Sequence, residues 1–199
     1  MAFLGGATAV GITFKEGVVL AAEKRYTLGH LVQSKSAKKV FKINEYLGAA
    51  CAGLISDMTV LAKIIAAQAS LFQFDNERRL PVEAAAKLIS NIMFNRRYFP
   101  YFTEVIVGGF ESEGSKIFVL DPIGSLIPES YTATGSGAPI AMGVLEDEYK
   151  EDLTLKEAKD LAVRAMIAAL KRDSQSGNGV DLLIIDKKGV KEEYVQFES

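Results

Sequence analysis

Segments patterned like β-strands and segments patterned like helices alternate in blocks along this chain. The first block holds two pairs of strand-like runs, TAVGITF with GVVLAAEKR and KKVFKI with YLGAACAG, separated by KEG and NE. Short apolar and β-branched runs joined by such turn-forming residues are typical of hairpins. The chain up to Gly53 is therefore expected to supply four strands.

Two helices are predicted next. From Ser56 to about Phe74, apolar residues recur at helical spacing, and Ser56 and Asp57 have side chains suited to capping the first turn. A second helix is predicted from Pro81 to about Arg97, because a proline in the first turn loses no needed hydrogen bond. The apolar positions of the first helix are Val60, Leu61, Ile64, Ile65 and Leu71.

The second half of the chain repeats this order. EVIVGGF, KIFVLDP and GSLIPESYTATG are strand-like, and Thr154 with Glu157 gives a capping-box pattern at the start of a helix. The chain then closes with the strand-like runs VDLLIID and EEYVQF around a KKG turn. The helix has a small apolar face suited to close packing on a sheet: Ala158, Leu161, Ala162, Ala165 and Ala169.

No linker, repeat or low-complexity segment interrupts the order, so we predict a single α+β domain from residue 7 to 199. Two sheets packed face to face and flanked by helices would satisfy the sequence of elements. A net charge of −2 and 24% charged residues argue against a nucleic-acid surface and against disorder. The longest apolar run, residues 60–72, is too interrupted to span a bilayer. Without a secretory signal, a cytoplasmic location is predicted.

Histidine and cysteine are too scarce for several kinds of site. His30 is the only histidine and has no neighbouring metal-binding partner, so neither a zinc site nor any cofactor is expected. A Ser-His-Asp triad would have to use His30, and no G-x-S-x-G elbow accompanies it. Cys51 lies in an apolar run and is interpreted as a core or pocket-wall residue, not a nucleophile.

Five ordered motifs resemble the β subunits of the archaeal 20S proteasome: ATAVGITFKEGVVLAAEKR, KSAKKVFKI, AGLISD, TGSGAPIAMGVLEDEY and KRDSQSG. The resemblance covers nearly the whole chain. It implies the N-terminal nucleophile hydrolase fold, a four-layer α/β/β/α sandwich, which agrees with the element order. A β-type subunit is implied because α subunits carry an extra helix before the first strand, for which six residues leave no room.

In that family a propeptide is removed after a glycine, and the exposed threonine attacks peptide bonds with its own α-amine as base. Residues 1–6 occupy the propeptide position here, and Ala7 follows Gly5 and Gly6. A methyl group cannot attack, and self-cleavage needs the same hydroxyl. The resemblance therefore implies an uncut leader and a catalytically silent chain. Thr8 is not expected to substitute, because successive strand side chains point to opposite faces.

The residues that support the nucleophile in the family are present. By resemblance, Glu23 orients Lys39, whose charge favours a deprotonated nucleophile, while Ser136, Asp173 and Ser176 hold the terminal amine and its water. Taken singly, the first two residues also suit a surface ion pair, and the serine-containing segments suit ordinary turns. As an ordered set they favour the site.

The resemblance also implies a substrate groove. Gly53 would donate its N–H to the oxyanion, and the backbones of Thr27 and Gly53 would bind an extended polypeptide as an added strand. A side-chain pocket would be lined by Tyr26, Ala37, Cys51 and Ile55.

Two origins of Ala7 stay open: a natural silent subunit that shares a ring with an active one, or an engineered Thr→Ala change in an active threonine endopeptidase. Ala9 also departs from the T-T-T-V-G pattern of active members, which favours the first. A bacterial two-ring relative is disfavoured by the long helix pair and by GSGAPIAMGVLE. The expected partners are proteasome α subunits, other β subunits including an active one, unfolded polypeptides and, indirectly, a regulatory ATPase.

Overall fold

A computed structural model describes residues 6–197 of the chain. The first half contains six strands and two helices: β1 (Thr8–Phe14), β2 (Gly17–Glu23), β3 (Tyr26–Leu28), β4 (Leu31–Ser34), β5 (Val40–Lys42), β6 (Leu47–Gly53), α1 (Ile55–Asn76) and α2 (Val82–Asn95). The second half contains β7 (Thr103–Glu111), β8 (Gly114–Leu120), β9 (Leu126–Glu129), β10 (Tyr131–Gly135), α3 (Ala138–Glu148), α4 (Leu155–Leu170), β11 (Val180–Asp186) and β12 (Gly189–Val195).

Two five-stranded antiparallel sheets form the centre of the fold. The strand order is β10-β1-β2-β11-β12 in the first sheet and β5-β6-β7-β8-β9 in the second, while β3 and β4 form a separate two-stranded hairpin. Every strand pair of the two sheets within residues 6–197 is antiparallel, so each sheet can be built from hairpins and a few longer connections.

Helices cover the outer face of each sheet, which confirms the predicted α/β/β/α order of layers. Helices α1 and α2 share one apolar cluster with the second sheet, and α3 and α4 share another with the first. A third cluster, which includes Leu20, Ile106 and Leu183, fills the space between the sheets. Apolar area is thus removed from water at three parallel interfaces.

Helix α4 confirms the predicted start signal. Glu157 N donates to Thr154 Oγ1 and Thr154 N donates to Glu157 Oε2 at 2.8 Å, which completes the capping box. All five residues of its predicted small face are buried among the strands of the first sheet. Small side chains bring this helix close to β1 and β2.

Helix α1 differs from its prediction at the N-terminus and along its face. Leu54 occupies the cap position without a side-chain hydrogen bond, whereas the Asp57 carboxylate accepts from Phe102 N at 2.8 Å and is therefore not a cap. Val60 and Leu71 are 44% and 52% exposed, because the face that packs on the sheet comprises Met58, Leu61, Ala62, Ile65 and Ala69. The predicted apolar stripe was correct only in part.

Three other features of the fold differ from the prediction: one segment that divides into two strands, one helix start and one hairpin. The run GSLIPESYTATG is two strands in different sheets, since β9 pairs with β8 and β10 pairs with β1. Pro81 lies at the cap position of α2, just before the first turn. The hairpin of β3 and β4 was missed because its strands are only three and four residues long and mostly exposed.

Helix α1 is also long and apolar enough, by length and composition alone, to cross a membrane. The sequence had predicted no such segment. In this fold its Met58, Leu61 and Ile65 pack in the cluster on the second sheet.

Candidate active site

Glu23, the last residue of β2, forms a buried ion pair with Lys39, which precedes β5. The two side chains are 0% and 1% exposed, so this is not a surface ion pair. Lys39 Nζ donates to Glu23 Oε1 and, at 2.6 Å, to the carbonyl of Arg25. Glu23 Oε2 accepts from the backbone N–H of Arg25 at 2.6 Å and of Gly177 at 3.0 Å. Both charges are therefore held by several hydrogen bonds.

Burial raises the pKa of the Glu23 carboxyl above its ordinary value, and the charge and hydrogen bond of Lys39 oppose that rise. The backbone N–H groups of Gly177 and Arg25 act in the same direction as Lys39. The charged form of Glu23 is thus stabilised by Lys39 and by the two backbone N–H groups. Loss of the lysine would leave a buried charge with only two amide donors.

A second polar group surrounds Asp173, in the loop between α4 and β11. Its Oδ2 accepts from the hydroxyls of Ser136 and Ser176, each at 2.6 Å, and its Oδ1 accepts from Gln175 N at 3.1 Å. Ser136 Oγ also lies 3.3 Å from the carbonyl oxygen of Ala7. Because a hydroxyl has one proton and the carboxylate contact is shorter, Ser136 donates to Asp173. The three residues assigned together from the sequence do lie together, beside position 7.

Thr8 belongs to this polar group, which the sequence analysis did not anticipate. Its hydroxyl lies 2.8 Å from Ser176 Oγ. Since Ser176 gives its proton to Asp173, Thr8 is the donor in this pair, and the chain of hydrogen bonds runs Thr8 to Ser176 to Asp173. Strand alternation predicts that the side chain of Thr8 points away from that of Ala7. It does not predict that Thr8 contacts Ser176.

Gln175 is a further missed residue. Its side-chain Oε1 accepts a hydrogen bond from the backbone N–H of Gly6, the residue before Ala7. Gln175 and Ser136 therefore both lie beside the Gly6–Ala7 segment, at Gly6 N and at the Ala7 carbonyl oxygen. Residues 1–5 of the expected leader lie outside the described part of the chain.

A small cavity of about 220 Å³ is lined by Ala7, the position at which the family resemblance predicts a nucleophile. It unites three predicted site residues: Ala7 just before β1, Gly53 at the end of β6 and Ser136 just after β10. Two larger cavities, each of about 480 Å³, include none of the predicted site residues. The full lining of the small cavity is Gly6, Ala7, Ala52, Gly53, Phe102, Thr103, Glu104, Pro122, Gly135 and Ser136.

Two glycines shape this cavity. Gly53 and Gly135 have φ of 132° and 92°, where side chains are strained, and a Cβ at Gly135 would lie 2.0 Å from the Ala7 carbonyl oxygen. Position 135 must therefore be glycine for its backbone to lie this close to the backbone of Ala7.

Apart from Gly53, the residues predicted to bind substrate do not line this cavity. Tyr26 and Thr27 lie in β3, and the buried Thr27 hydroxyl has no hydrogen-bond partner within residues 6–197. Ala37 N donates to the carbonyl of Lys24 at 3.0 Å, and Ile55 is the first residue of α1. Their pocket stays a prediction.

Cys51 is buried in the apolar cluster beneath α1 and α2. Burial raises the pKa of its thiol well above the ordinary value, so the thiolate is disfavoured. It is a core residue in this structure.

The paired antiparallel sheets between two helical layers are the sandwich of the N-terminal nucleophile hydrolases. Comparison with known proteins narrows this class. The sequence profile of the family described as "Proteasome subunit" matches residues 3–185, and the chain belongs to that family.

Similar curated proteins come from archaea. The "Proteasome subunit beta 2" of Pyrobaculum calidifontis is 50% identical over 193 residues, which cover 97% of this chain and 95% of the relative. The "Proteasome subunit beta 1" of Ignicoccus hospitalis is 47% identical, with 90% of each chain covered. The "Proteasome subunit beta" of Methanococcus aeolicus is 45% identical, with 95% of this chain and 88% of the relative covered.

Proposed function

We propose that this chain is a β-type subunit of the 20S proteasome core particle that is catalytically silent as written. In the particle it would contribute to the intracellular degradation of unfolded polypeptides, in the cytoplasm and downstream of a regulatory ATPase. Its partners would be proteasome α subunits and other β subunits, including an active one. The similarity to archaeal beta subunits over nearly the whole chain supports the class of subunit.

The observation that carries the silent role is the chemistry of position 7. Ala7 lies in the cavity with Gly53 and Ser136, next to the Asp173 group, and its methyl group has no acidic proton and no lone pair with which to attack. The same hydroxyl would be needed to release the leader. Nucleophile and α-amine are therefore both missing while their supporting groups remain.

Thr8 offers no replacement. Its side chain is fully buried, and its hydroxyl is hydrogen-bonded to Ser176. A nucleophile has to reach the substrate carbonyl, and this hydroxyl would have to leave its partner and the interior to do so. This favours the silent role over an enzyme that uses the next residue.

The test is the reversion Ala7→Thr in an assembled particle. The chain is co-expressed with α subunits, and any partner β subunit carries an inactivated nucleophile, so that all hydrolysis comes from position 7. We expect the parent to show none above background and the revertant to cleave a fluorogenic peptide. Ala7→Val is the matched control, because valine has about the size of threonine but no hydroxyl. Hydrolysis by the parent, or equal hydrolysis by Ala7→Val and Ala7→Thr, would contradict the proposal.

A further inference from the structure

The cavity at position 7 contains one charged side chain, Glu104 of β7. Its Oε2 accepts from Gly135 N at 2.8 Å, which fixes the carboxylate at the cavity wall. The other oxygen, Oε1, has no hydrogen-bond or ion-pair partner in the part of the chain that the structure describes. One acceptor of an anchored carboxylate is therefore available to a ligand.

Among the described residues that line this cavity there is no lysine, arginine or histidine. The negative charge is thus not neutralised locally, and a partly enclosed site screens it less than open water would. Phe102, 41% exposed, lines the same cavity, and an aromatic ring attracts a cation that lies over its face. Carboxylate and ring together favour an ammonium or guanidinium group.

The size of the cavity limits what can enter. At about 220 Å³ it is smaller than the roughly 300–1,000 Å³ of typical small-molecule pockets, so it suits a single side chain. Gly6 and Ala7 form part of its wall, which places the occupant beside the peptide bond at position 7. None of Tyr26, Ala37, Cys51 or Ile55 lines it, so it is distinct from the pocket predicted from sequence.

We propose that this cavity is a subsite for a basic side chain, Lys or Arg, of a bound polypeptide, with Glu104 as the residue that determines the preference. The inference rests on the proposed function, because a polypeptide is taken as the ligand. With Oε2 held by Gly135 N–H, the bound cation pairs with Oε1 alone.

A binding experiment tests the subsite without any catalysis. A fluorescent, otherwise uncharged peptide carries one lysine, moved through successive positions, and each version is matched with norleucine, which keeps the aliphatic stem without the charge. Fluorescence anisotropy with the Ala7 chain should show the lysine peptide binding about five-fold tighter at one position, the scale of a partly exposed ion pair. That preference should shrink in high salt.

Glu104→Gln removes the charge but keeps an oxygen that can accept from Gly135 N. In this variant the lysine and norleucine peptides should bind with about equal affinity. It should persist in the matched control Glu151→Gln, whose exposed side chain lies in the turn between α3 and α4. Equal binding of lysine and norleucine peptides, no measurable binding of either, or a preference that survives Glu104→Gln would each overturn the subsite and leave Glu104 a purely structural acceptor.

Hydrolysis provides the second measurement. The cleavage sites that the Ala7→Thr particle makes in a reduced and alkylated protein should be enriched in Lys or Arg at one position, and adding Glu104→Gln should remove the enrichment. If the revertant is inactive but the binding preference remains, the result refutes the expected rescue of catalysis by Ala7→Thr and leaves the subsite standing. An active revertant without the preference refutes the subsite alone.

Discussion

Glu23 and Lys39 form a hydrogen-bonded ion pair from which solvent is almost completely excluded. Removing two charges from water costs free energy, which their mutual attraction offsets. If one charge is removed, the other stays buried without a partner and destabilises the fold. Backbone groups of Arg25 and Gly177 satisfy further hydrogen bonds of the pair. The pair is consequently a sensitive point of the structure, whatever its part in catalysis.

Loss of one charge should cost more than loss of both. Lys39→Met should lower the free energy of unfolding by about 3–5 kcal/mol, because Glu23 then keeps a buried, unpaired carboxylate. The double variant Glu23→Gln/Lys39→Met removes that charge and should recover most of the loss. Urea unfolding at pH 7 measures both. A double variant no more stable than Lys39→Met would show that packing, not charge, dominates.

The cost of Lys39→Met should depend on pH. Burial already raises the pKa of Glu23, and the substitution removes the charge that opposes this rise. Between the unfolded pKa and the higher folded pKa, the native state binds more protons, so its stability increases as pH falls through that window. The stability gap to the parent should therefore narrow from pH 7 towards pH 5. A constant gap over this range, or the same narrowing in the double variant, would argue against Glu23 as the titrating group.

The leader should stay attached in the parent and be removed in the revertant. Without a hydroxyl at position 7 no acyl shift can start, whereas Ala7→Thr restores the attacking group. Intact-mass measurement on assembled particles should find the chain uncut, apart from removal of Met1, and the revertant shortened to residue 7. Adding Lys39→Ala to the revertant should abolish hydrolysis again. A new terminus at Ala7 in a particle without any active subunit would contradict this expectation.

Thr8 should matter for stability and not as a nucleophile. Thr8→Val keeps the shape of the side chain but removes the proton donated to Ser176, which should cost about 1 kcal/mol. In the Ala7→Thr background, this variant should retain hydrolysis. Chemical denaturation and a peptide assay give the two measurements, and Thr8→Ser is the control that keeps the hydroxyl. Abolished hydrolysis in a folded Thr8→Val revertant would make Thr8 part of the reaction.

The capping box gives a test of the fold itself. Thr154→Ala should lower stability by about 1 kcal/mol, because the first turn of α4 loses its side-chain acceptor. Ser56→Ala should change stability by only a few tenths of a kcal/mol, since Ser56 makes no cap bond although its sequence position suggested one. Matched urea titrations compare the two, and equal losses would mean that Ser56 does cap α1.

Local patterns predicted the features that depend on neighbours in sequence. The hairpin of β1 and β2, the block order and the Thr154–Glu157 box all follow from residues only a few positions apart. Ser56 and Asp57 failed as caps because Asp57 is engaged by Phe102, distant in the chain, and that contact is a tertiary one. The division of β9 from β10 depends likewise on which sheet each strand joins.

The candidate site shows the same limit. Family resemblance brought Ser136, Asp173 and Ser176 together, but Thr8 and Gln175 emerged only from the folded geometry. Glu104 gave no signal either, since it sits in an ordinary strand run and gains its significance from the cavity beside it. Nothing in the spacing of these three residues indicates that each lies near position 7.

The loop between α4 and β11 connects both polar groups of the site. Ser176 contacts Thr8 at the start of β1, Asp173 accepts from Ser136 just after β10, and Gly177 N donates to Glu23 at the end of β2. A lineage that lost its nucleophile would still be under selection to keep these residues, because their replacement loosens the attachment of two central strands. Their presence is therefore no record of recent activity. Selection on the fold alone would preserve the same residues as selection on activity.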